Sequence, residues 1–130
     1  MIPDFHAAAE HDATWLAIRQ PAVVRLLEAE LATRDGDAYA AGLELACRAL
    51  GGRQPIGDLR LDHRALASGL AAVRAGRCDR AMVRSLRDQI GELPVVLTRD
   101  EEDAVATVIA AIIWAVLDES VRGLEDTLIV

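Results

Sequence analysis

A chain of 130 residues with 52% hydrophobic content is long enough for one well-filled core, and 3% aromatics leaves Ala, Leu and Val to fill it. A net charge of −7 disfavours non-specific binding to nucleic acid or to an anionic membrane surface. Ala and Leu are strong helix formers, while the aromatic and β-branched residues that favour strands are less abundant, so the expected fold is all-α.

Gly, Pro and Asp punctuate the chain into five to six helical segments. The first runs from about Asp4 to Arg19 and stops at Gln20-Pro21. Pro21 suits the first turn of a second helix, in which Val23, Val24, Leu27 and Leu31 recur at core spacing. Asp35-Gly36-Asp37 closes that helix, and Asp37 is placed to cap a third, at about 38–50, carrying Tyr39, Leu43, Ala46 and Leu50. The stretch from Arg53 to Leu61, with Pro55 and Gly57, reads as the longest loop. Asp62 then caps a fourth helix with Leu66, Leu70 and Val73, ending at Gly76, and Asp79 caps a fifth with Met82, Val83, Leu86 and Ile90, ending at Gly91.

Beyond Pro94, Thr98-Arg99-Asp100-Glu101 has the spacing of a capping box and opens the sixth helix. Ala104 to Leu117 carries no charge and is fenced by Asp100 to Asp103 before and Asp118-Glu119 after. Fourteen helical residues rise about 21 Å, too short for a bilayer core of about 30 Å. A helix apolar nearly all round is expected at the centre of a bundle, so the sixth helix, from Arg99 to about Arg122, is read as its middle. Gly123 is expected to end it, leaving residues 124–130 as a tail whose last residues, Leu128-Ile129-Val130, are apolar and should dock on the bundle or across a homodimer. The whole is expected to be one compact helical domain, with residues 1–3 as the other tail.

All fourteen basic residues are Arg, as codon bias in a GC-rich bacterial genome would produce. Their distribution is uneven: residues 1–59 balance at −4, residues 60–90 at +4 and residues 91–130 at −7. Arg77, Arg80, Arg84 and Arg87 recur at i, i+3, i+7 and i+10, which places them on one face of the fifth helix opposite Met82, Val83, Leu86 and Ile90. Such a face either docks an anion or an acidic partner, or pairs with the chain's own surplus carboxylates. Asp100, Glu101, Glu102 and Asp103 suit the positive end of the sixth helix at its N-terminus, which is the preferred reading. Since four acids exceed what capping needs, a surface for a basic partner is the alternative. The fourth and fifth helices, joined across Gly76, also suggest a helix-turn-helix, against which stand the overall acidity and the polar Arg77 and Ser85 at positions expected to pack.

Cys47 and Cys78 match no metal spacing. His6 and Glu10 share a helix face with Asp4 or His11 nearby, which secures two ligands where three or four are needed, so a polar first turn is preferred. Trp114 is expected in the core, and Trp15 in the core or at an interface. No phosphate-binding glycine loop, nucleophile elbow or zinc-protease motif occurs, and no cofactor is implied. Met1-Ile2-Pro3-Asp4 lacks the basic start and apolar run of a signal peptide, so a cytoplasmic protein with reduced thiols is expected. The leading expectation is a protein–protein interaction module of the immunity, antitoxin-like, inhibitor or adaptor kind, with a helix-turn-helix regulator and a small helical enzyme or ligand-binding protein as alternatives. Its partner would be another protein, expected to be basic where it meets the acidic cluster.

Overall fold

Residue by residue, local chemistry sets where each helix starts and stops in the computed structural model, which describes residues 5–32, 36–51 and 60–128, with side chains for 10–32, 36–50 and 60–119. Among these residues there are six helices and no strand: α1 (Phe5–Arg19), α2 (Pro21–Leu31), α3 (Gly36–Gly51), α4 (His63–Arg74), α5 (Arg80–Glu92) and α6 (Arg99–Leu128). The all-α expectation holds.

Pro21 occupies the first turn of α2, as its fixed φ favours. The Asp62 carboxylate accepts from the Ala65 N–H at 2.8 Å and the Asp79 carboxylate from the Ala81 N–H at 2.9 Å. At the start of α6 the capping box is reciprocal. The Glu101 N–H donates to Thr98 Oγ1 at 3.1 Å, and the Thr98 N–H donates to Glu101 Oε1 at 2.9 Å. Gly76, at φ +74°, ends α4 in a Schellman turn: the Arg77 N–H reaches the Ala72 carbonyl at 2.9 Å and the Gly76 N–H that of Val73 at 3.0 Å.

Three boundaries differ from expectation. Helix α3 begins at Gly36, so Asp37 lies inside its first turn rather than capping it. Helix α5 runs one residue past Gly91, and the chain turns extended only at Leu93, ahead of Pro94. Helix α6 passes through Gly123 to Leu128. A lone Gly costs a helix only about 1 kcal/mol, and the Leu-Glu that follows it favours helix while no Pro interrupts, so the expected tail is largely helical. Residues 1–3, Asp35, the loop stretch 53–59 and the docking of Leu128-Ile129-Val130 lie outside the described residues and side chains.

Helix α6 is the spine, packing against α2, α3, α4 and α5, while α1 closes the far side on α2 and α3. Its Val105, Val108, Ile109 and Ile112 join Leu16, Leu27 and Leu43 among the fully buried side chains. Trp114, expected in this core, is only half-buried, because it lies off the stripe that Ile109, Ile112 and Val116 present inward. Trp15 is half-buried as well, with the Arg19 guanidinium 5.4 Å from its ring centre. The α4–α6 crossing is close: a Cβ on Gly69 would overlap the carbonyl oxygen of Ala111. Buried Gln20 accepts the Leu61 N–H at 3.0 Å and ties the α1–α2 junction to the approach of α4.

No helix among the described residues is long and apolar enough to cross a membrane.

Candidate functional site

Helices α4 and α5 both lie on α6, and they pack on it far more than on each other. The separation opens a groove of about 470 Å³, within the range of ligand-binding clefts. Val73 of α4 and Gly76 of the turn that ends it form one wall, and Arg80, Val83, Arg84 and Arg87 of α5 the other. Cys78 closes the end at the turn, and Thr107 of α6 forms the floor. The amphipathic pattern of α5 explains this placement. Leu86 and Ile90 are buried against the core, which leaves Arg80, Arg84 and Arg87 exposed along the flank of that stripe.

Of the four arginines expected on one helix face, three lie there. Arg77 falls in the Gly76–Asp79 turn before α5 begins, where its N–H completes the Schellman turn and its side chain is exposed. The regular spacing that grouped it with the others presumes a helix that starts three residues too early. Arg80 and Arg84 form no ion pair among the described residues, whereas Arg87 pairs with Asp103 at 2.5 Å. That pair is a charge contact rather than an aligned hydrogen bond, since Asp103 Oδ1 gains no hydrogen-bond partner from it. Both members are about half-exposed, at 45% and 47%, so the pair is worth well under about 1 kcal/mol and can be exchanged.

The acidic cluster is not one outward surface. Glu101 is buried at 9% exposure and engaged in the capping box, Asp103 holds Arg87, Glu102 is half-buried and Asp100 is exposed. The two charged features, sixteen residues apart in sequence at their nearest contact, therefore meet at Arg87 and Asp103. Beyond Thr107 the groove adjoins a second, smaller cleft of about 240 Å³ among Glu30, Arg74, Asp100, Asp103 and Ala104. There Arg74 reaches Glu30 of α2 at 3.3 Å, and the cleft keeps an excess of carboxylate from Asp100 and Asp103.

A recess of about 230 Å³ between α1 and α3 is lined by His11, Asp12, Trp15 and Cys47. Burial, and then the neighbouring Glu44 carboxylate, raise the Asp12 carboxyl above its ordinary value. The Cys47 thiol donates to the Asp12 carbonyl at 3.8 Å, and burial with help from Asp12 and Glu44 pushes it up to about 12. A thiol so held is protonated at neutral pH and makes a poor nucleophile. The His6–Glu10–His11 set falls partly outside the described side chains. Among the described residues no group of three or more His, Cys, Asp or Glu could hold a metal ion.

Sequence reasoning missed the groove, because its walls come from α4 and α5 and its floor from Thr107. It also missed the role of Gln20, for which the only local signal is a polar residue held between Arg19 and Pro21. Comparison with family models, with curated proteins and with solved structures returns no match to this chain.

Proposed function

We propose that the chain is a protein–protein interaction module that captures an acidic segment of a partner protein on the α5 side of the α4–α5 groove. One observation carries this reading: Arg80 and Arg84 project from a groove wall without a carboxylate partner among the described residues, in a chain with seven more acids than bases. Surplus acid would ordinarily neutralise such a pair, as Asp103 does for Arg87 and Glu30 for Arg74. Guanidinium forks match carboxylates bidentately, and an isolated cationic wall on an acidic body steers an anionic partner to one place. The assignment of the acidic cluster to a basic partner is weaker, because Glu101 and Asp103 are engaged within the molecule.

The test is affinity capture from host lysate at graded ionic strength, using wild type and an Arg80→Glu/Arg84→Glu double variant of unchanged helical circular dichroism. A stoichiometric acidic protein held by wild type, released as salt rises and lost from the double variant, supports the module. Equal capture by both proteins, or capture of nucleic acid alone, rejects it.

A further inference from the structure

We infer that the occupant of the groove is an amphipathic helix of the partner protein, with carboxylates at i, i+3 or i+4, and i+7 beside an apolar residue that enters between Val73 and Val83. This rests on the reading of the chain as an interaction module and specifies the chemistry of its partner.

Register is the first support. Arg80, Arg84 and Arg87 stand at i, i+4 and i+7 on α5, so their Cα atoms rise by about 6 Å and then about 4.5 Å along the axis. Carboxylates on one face of a facing helix recur at the same two intervals. Those on one face of an extended strand recur at about 6.7 Å each, and fall out of step by the third arginine. The second support is the mixed lining. Val73, Val83 and Cys78 are half-buried and supply an apolar seat, so a purely ionic ligand would leave part of the groove unused. Docking a helix through a row of anchors at i, i+4 and i+7 uses both kinds of surface together.

The third support is a carboxylate already in place. Asp103, from the first turns of α6, already pairs with the last arginine of the row and so occupies the place that a partner's carboxylate would take. The incoming helix must displace it at Arg87, while Arg80 and Arg84 stand ready. Removing this acid from the acidic chain should therefore strengthen the binding of an acidic ligand, and it should do so through Arg87 rather than by a general change in charge.

The probes are two labelled 16-residue peptides of identical composition. One carries Glu at i, i+4 and i+7 beside Leu on an Ala-based helix, and the other carries the same residues with Glu at i, i+2 and i+4. Fluorescence polarisation at low salt should show at least tenfold tighter binding of the first. That preference should disappear in Arg80→Ala/Arg84→Ala, and Asp103→Asn should tighten binding about threefold while Asp100→Asn changes it less. Equal affinity for the two peptides, binding of neither, or an Asp103→Asn variant no tighter than Asp100→Asn overturns the helical occupant. Full displacement by millimolar pyrophosphate with no preference between peptides assigns the wall to small anions and overturns it too. If the lysate partner is still captured through Arg80 and Arg84 in any of these cases, the interaction module stands without this occupant. If no partner is captured, that reading fails separately.

Discussion

Helices α4 and α5 share one support and meet it in opposite ways. Helix α4 lies so near α6 that Gly69 has no room for a methyl group, and it packs on α2 as well. Helix α5 stands on α6 through a narrow stripe, with Leu86 and Ile90 its fully covered side chains, and keeps three arginines outside. Close packing of small residues fixes the first helix, whereas the second is held by two large side chains and turns its charge to solvent. The groove exists because one neighbour is pressed in and the other is held off.

The largest effect should come from Gly69→Ala. The added Cβ meets backbone rather than a yielding side chain, so α4 must lift from α6 at a cost of about 3 kcal/mol, measured by urea denaturation. Leu86→Ala, which deletes three carbons from α5, should cost less, about 2 kcal/mol, at the low end for a buried leucine at the rim of a core. The opposite order would break the comparison, since it would make α5 the more tightly fitted helix. Gly76→Ala forces a side chain into the left-handed turn that ends α4 and should cost about 1 kcal/mol. Hydrogen exchange should then show fraying over Ala72 to Arg74 while the centre of α4 stays protected.

Arg87→Ala should change stability by less than about 0.5 kcal/mol, since it removes only a half-exposed pair. A melting temperature several degrees lower would show that α5 depends on that contact after all. Asp12→Asn serves as a control away from both helices. The Asp12 carboxyl is raised in the folded chain, so the folded state holds its proton more tightly than the unfolded one. Its contribution is therefore present below the ordinary carboxylate value of 3.8 and is lost as pH rises through the folded value. The variant should be more stable than wild type at pH 7, lose that advantage near pH 4 and leave the groove unaffected. An advantage that persists at pH 4 would count against this account.

Much of this was legible because helix boundaries are local. Asp62, Asp79 and the Thr98–Glu101 box each act within three residues of themselves, and periodicity alone turns Leu86 and Ile90 inward. What could not be read depends on distance. Nothing near Arg87 marks Asp103, sixteen residues on, as its partner, and nothing near Gly69 announces the Ala111 carbonyl. Gly76 and Gly123 look alike as stop signals. The chain turns at Gly76, which takes up a left-handed φ of +74°, while the helix runs on through Gly123, followed by Leu124-Glu125 and no proline. Arg77 was misplaced for a related reason: periodicity continues through a cap that the backbone obeys.

The contact between Gln20 and the Leu61 N–H spans 41 residues of chain. Closing a flexible loop of that length costs about 3 kcal/mol before any constant term, while one buried hydrogen bond returns about 1 kcal/mol. The clasp therefore cannot start the folding of this chain. If it forms once packing of α2 on α3 has drawn the two ends together, a Gln20 substitution acts on the descending side of the folding barrier. Unfolding should quicken while the refolding rate stays where it was, and the α2–α3 stretch enclosed by the clasp is then a unit that assembles first and is locked afterwards.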